Sequence, residues 1–144
     1  MKHLIFVFIF LTSCMPNDLE YLDPDLAQYY RNFQIEADRL NINLPDKSIM
    51  LIFEELDTER AHCHTGKRSI KICVNSNFFS VEPGIYDYKL EATLFHEFGH
   101  GFLNRDHIEP INGIETSLMT VPGMREDWIN GVKREYYLKE LFGM

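Results

Sequence analysis

The stretch that decides the reading of this chain is LFHEFGHGFLNRDHIEP, Leu94–Pro110. His96 and His100 stand four residues apart, and Glu97 follows the first of them directly. On an α-helix, residues i and i+4 lie one above the other on the same face. Two imidazoles on one rigid turn can reach a single ion, and zinc accepts imidazole nitrogen in a tetrahedral arrangement. Glu97 is turned by about 100° from His96. Its carboxylate therefore falls beside such an ion, where a general base is needed.

The surroundings support a buried helix over 88–103. Leu90, Leu94, Phe95, Phe98 and Phe102 cover most faces and leave His96, His100 and Lys89 on the remaining one. A helix apolar on most sides belongs in a core. Gly99 and Gly101 each cost roughly 1 kcal/mol of helix propensity. That cost predicts another element, or a substrate, close against the backbone.

With these residues in hand, the sequence resembles the metzincin metallopeptidases, in a matrixin-like form carried by small bacterial lipoproteins. Their motif is H-E-x-x-H-x-x-G-x-x-H followed by a methionine turn. His96, Glu97 and His100 match it. The glycine position falls on Leu103 and the third ligand position on Asp106, while His107 lies one residue further on. The family glycine ends the helix with positive φ, where a β-carbon is disfavoured. Asn104 suits that conformation better than Leu103. A turn moved to Asn104 moves the returning ligand to His107, which is favoured, with Asp106 as the alternative. Met119, in Ser117-Leu118-Met119, resembles the methionine turn. The family tyrosine two residues after the methionine is replaced by Val121.

The resemblance implies a zinc-dependent endopeptidase. One Zn2+ is held by His96, His100 and His107, Glu97 is the general base, and Met119 supports the site. The substrate is a peptide or protein, and nothing in the sequence speaks to calcium. Two rival readings stand beside it. One is a zincin with a glutamate third ligand, Glu115 or Glu126. The other is a lipid-anchored binding protein with a structural zinc site.

The N-terminus reads as a targeting segment. Lys2 precedes the apolar run Leu4–Leu11, which is too short to span a bilayer. The ending Leu11-Thr12-Ser13-Cys14 resembles a lipoprotein lipobox, which implies cleavage before Cys14 and acylation of its thiol. The expected organisation is a signal peptide over 1–13, a lipid-anchored tether over 14–22 and a single domain over 23–144. The expected location is a membrane face of the bacterial cell envelope. A formal net charge of −8 lacks the basic footprint that nucleic acid or anionic lipid requires.

The fold expected is α+β: a minimal zincin-like domain with a small twisted mixed sheet packed on the active helix, and helices at both ends. Helical spacing covers 24–42, with Asp23 placed to cap it. Apolar runs predict strands over 48–56 and 68–79. A final helix over 125–142 has Trp128, Val132, Tyr136, Leu138 and Phe142 available to bury. A tight turn at Thr65–Arg68 would set Cys63 opposite about Ile70, so a Cys63–Cys73 disulfide is left open. His62 and His64 read as two histidines on one face of an edge strand, with a second metal site as the alternative.

Overall fold

The computed structural model describes residues 20–79, 82, 85–112, 114, 116–120, 128 and 131–144. The chain runs β1 (Tyr21–Leu22), α1 (Ala27–Arg39), β2 (Ser48–Glu54), β3 (Ala61–Thr65), β4 (Ser69–Asn75), α2 (Tyr88–Leu103) and α3 (Arg134–Leu141). The architecture is α+β. A four-stranded sheet in the order β1-β2-β4-β3 packs against α2, with helices toward both ends. β1, β2 and β4 are parallel, and β3 joins the outer side of β4 antiparallel.

The first helix is shorter than its apolar spacing suggested, because residues 24–26 form turns before it begins. The Asp23 carboxylate accepts from the Asp25 amide, and the Asp23 carbonyl accepts from Leu26 and Ala27. The buried stripe Leu26, Tyr29, Tyr30, Phe33, Ala37 and Leu40 follows the 3–4 spacing. Phe33 is the hub, with ring centroids 4.9 Å from Phe98, 5.3 Å from Phe95 and 5.2 Å from Phe142. Burying a side chain of this size contributes about 1.5–3 kcal/mol, so α1, α2 and α3 are joined through one aromatic cluster.

β2 and β4 lie near the apolar runs expected, as Ser48–Glu54 and Ser69–Asn75. Tyr21 and Leu22, placed at the end of the tether by sequence, pair with Met50 and Leu51. The β3–β4 register differs from the tight-turn expectation: Thr65 pairs with Ile70, so Cys63 lies opposite Ile72 and His62 opposite Cys73. Cys63 and Cys73 thus occupy alternating faces of the sheet, and both thiols are free. Burial pushes the Cys63 thiol up to about 12 and the Cys73 thiol up to about 11.

The last helix also departs from expectation. Gly131 takes φ +71, and α3 starts only at Arg134. Trp128, Leu138 and Phe142 are buried as predicted, whereas Val132 and Tyr136 are exposed and Tyr137 is buried instead. The break at Gly131 resets the helical phase, so a single stripe drawn across 125–142 selects the wrong tyrosine.

Candidate metal centre

Helix α2 begins at an Asp87 cap, whose carboxylate accepts from the Lys89 and Leu90 amides at 2.8 and 3.2 Å. It ends at Leu103, with Asn104 in the left-handed region at φ 51 and ψ 40. The positive φ therefore falls on Asn104 and not on Leu103, and the Arg105 amide turns back to the Gly99 carbonyl at 3.0 Å. That reversal brings His107 back over the helix face that carries His96 and His100.

The three imidazoles converge. Their Nε2 atoms are separated by 3.1 Å (His96–His100), 3.2 Å (His96–His107) and 3.0 Å (His100–His107). On the far side of its ring, His96 donates from Nδ1 to the Leu118 carbonyl, and His100 donates from Nδ1 to the Arg105 carbonyl, each at 2.6 Å. Those bonds leave the Nε2 atoms of His96 and His100 as lone pairs aimed at the common point. Neighbouring lone pairs at such distances repel unless a cation lies between them. Tetrahedral zinc with Zn–N near 2.0–2.1 Å sets N···N edges of about 3.3–3.4 Å, close to the spacing found. Backbone acceptors on Nδ1 are also what metal-ligating histidines use to fix tautomer and ring angle. Burial holds the His100 imidazole below its usual pKa, which favours the neutral, metal-ligating form. The cluster can hold a metal ion.

Asp106 is exposed and lies outside the convergent group. Its charge still acts on the site by opposing the depression of His100. Glu115 and Glu126, the alternative glutamates, lie outside the described residues, as do Cys14 and Val121.

Glu97 is 7 % exposed and hydrogen-bonds to no described residue. Burial, and next the negative charge of Glu59, push its carboxyl up to about 7. It lines an open cleft of about 720 Å3 together with the three histidines. The opposite wall is the outer strand β3, the bend at 58–60 and Phe78. Asn75 staples that wall together: its buried side-chain amide donates to the Leu56 and Glu59 carbonyls, and its Oδ1 accepts from Asn77.

Both helix glycines are explained by close approach. A β-carbon on Gly99 would lie 2.6 Å from the Met119 sulfur, and one on Gly101 would lie 2.9 Å from Ile70 Cδ1. Met119 is fully buried and packs on the turn of helix between His96 and His100. His62 and His64 share one side of β3 with ring centroids 4.4 Å apart, and His62 Nδ1 bonds Glu59. They form no three-residue metal cluster among the described residues.

Sequence reasoning missed the supports behind the imidazoles. Arg105 reaches Glu140 on α3. Ser117 hydrogen-bonds the same carboxylate. The acceptors for His96 and His100 are main-chain carbonyls, which carry no side-chain signature. No family model, characterised protein or solved structure matches this chain.

Proposed function

We propose that this chain is a zinc-dependent endopeptidase of metzincin-like design, held at a membrane face by lipid on Cys14. The observation that carries the catalytic reading is the trio of Nε2 atoms within 3.0–3.2 Å of one another, with a buried carboxylate on the same helix turn. His96, His100 and His107 would hold the ion through Nε2, with Met119 supporting the helix beneath them. When bound, zinc supplies Lewis acidity toward a peptide carbonyl and toward water.

The remaining work falls to the chain's own groups. Glu97, raised toward neutrality, can take a proton from the attacking water and pass it to the amine nitrogen. One C–O bond forms as the C–N bond breaks, and the proton ends on the departing amine. The outer strand β3 runs along the cleft and offers a sheet edge to an extended peptide. Asp106 remains outside, as a charge near the site.

Zinc-loaded protein is expected to cleave members of a peptide library. Glu97→Gln should keep its zinc and lose about 10²–10⁴-fold in kcat, the usual contribution of a general base. His107→Ala should lose zinc while Asp106→Ala keeps it; the opposite pattern would reassign the third ligand. Tight zinc binding without cleavage of any peptide would turn the reading toward a binding protein with a structural zinc. For the anchor, Cys14→Ser should release the protein from the membrane fraction. A variant that still sediments with membranes would remove the lipid from the proposal.

A further inference from the structure

Both carbonyls that hold the helix histidines belong to loops that meet on one side chain. Glu140 lies in the last turn of α3. Its Oε1 accepts from Arg105 Nη2 at 2.5 Å, and its Oε2 accepts a short hydrogen bond from the Ser117 hydroxyl. The Arg105 guanidinium also donates from Nη1 to the carbonyls of Glu140 and Leu141, at 2.7 and 2.9 Å. Carbonyls at a helix C-terminus lack intrahelical donors, so Arg105 caps α3 while it pairs with Glu140. Ser117 in turn accepts from the Met119 amide at 2.9 Å, which fixes the Leu118 peptide between them.

Two short paths lead from Glu140 to the imidazoles. One runs through Arg105, whose carbonyl receives His100 Nδ1–H. The other runs through Ser117 to Leu118, whose carbonyl receives His96 Nδ1–H. Ile108, next to His107, is tied to the same loop by its amide on the Met119 carbonyl at 3.0 Å. The Arg105 and Glu140 side chains are 24 % and 22 % exposed. A pair this sheltered from water, with charge-assisted bonds, holds geometry better than an exposed one.

We propose that Glu140 is the positioning residue of the metal centre, joining through Arg105 and Ser117 the two loops whose carbonyls orient His100 and His96. The inference rests on the reading that the three imidazoles hold zinc. Cutting the link leaves every ligand in place and lets the acceptor carbonyls drift, and with them the ring angles. Loss of groups that orient ligands weakens metal binding by about 10–100-fold.

The test is metal affinity, read by competition between the protein and a chromophoric chelator, with zinc and with cobalt(II). Glu140→Ala should bind zinc about 10–100-fold more weakly and shift the visible cobalt spectrum, which reports ligand geometry. Glu140→Gln keeps one carbonyl acceptor and should lose less. Ser117→Ala alone should weaken binding, but should add little in the Glu140→Ala background, since one path is then already cut. A purely structural role for Glu140 would lower the folded fraction and leave the affinity and cobalt spectrum of folded molecules unchanged. That result overturns the proposal. If Glu140→Ala fails to fold, Ser117→Ala and Arg105→Lys decide: wild-type affinity in both overturns it. Failure of the wild-type chain to bind either metal would instead overturn the metal reading itself, and this inference with it.

Discussion

Helix α2 carries two buried carboxylates, and the chain treats them in opposite ways. Glu91 is 1 % exposed and fully engaged: Tyr86 donates to it at 2.6 Å, Arg134 at 2.8 Å and the Trp128 indole at 3.0 Å. Arg134 extends the network to Glu36 at 2.6 Å and stacks over Trp128. Glu97 is nearly as buried, yet it has none of this support and faces the cleft. A buried charge with partners ties elements together. A buried charge without them is costly to ionise, and a carboxyl left in that state is ready to exchange a proton. Near-equal burial on one helix thus separates a structural group from a candidate chemical one, and the difference lies wholly in the partners.

Breaking the structural member should have the largest effect on stability. Glu91→Ala leaves Arg134 facing a vacated site and should destabilise the fold by about 3–5 kcal/mol, measured by denaturant unfolding. Glu97→Ala removes no partner and should fall well short of that. Equal losses at the two positions would mean that Glu97 has structural support of its own.

The next effect is in pH. In the metal-free protein the folded state holds a proton on Glu97 more tightly than the unfolded chain does, because its carboxyl is raised from 4.5 to about 7. The stability this contributes is complete below about pH 4.5 and is lost as pH rises through about 7. Integrated over that window it amounts to about 3 kcal/mol at most. Subtracting the unfolding free energies of Glu97→Gln from those of the metal-free wild type, from pH 4 to 8, should isolate this slope. A flat difference would place the Glu97 carboxyl in the ordinary carboxylate range.

The smallest effect concerns how the third histidine is delivered. Asn104→Ala puts a less tolerant residue at φ 51 and should cost about 1 kcal/mol, the usual penalty of left-handed backbone. Asn104→Gly should be tolerated. If the turn sets the position of His107, the alanine variant should also bind zinc more weakly than the glycine variant. Equal affinities would mean that the loop tie at Ile108 holds His107 without help from the turn.

Much of this was legible from local pattern. The helix over 88–103 was visible because apolar residues surround it and Asp87 caps it. The left-handed turn at Asn104 was visible because Leu103 could not supply it. The glycines announced close neighbours without naming them, and Met119 and Ile70 proved to be those neighbours. What failed was whatever depended on register or phase. The β3–β4 pairing slid away from the tight-turn estimate because the turn takes in Ser69, and Tyr137 replaced Tyr136 in the core because Gly131 interrupts the helix.

The sequence by itself determined a metal-capable helix and its stop, and favoured His107 over Asp106 as the residue that returns beyond it, since each follows from spacing and from the φ preference of a single residue. Only the tertiary structure decided which groups orient those histidines and which buried carboxylate has no hydrogen-bond partner among the described residues. The acceptors are main-chain carbonyls, and their anchor, Glu140, lies far along the chain from Arg105. Burial and partnership are properties of what packs around a residue, and no local pattern encodes them.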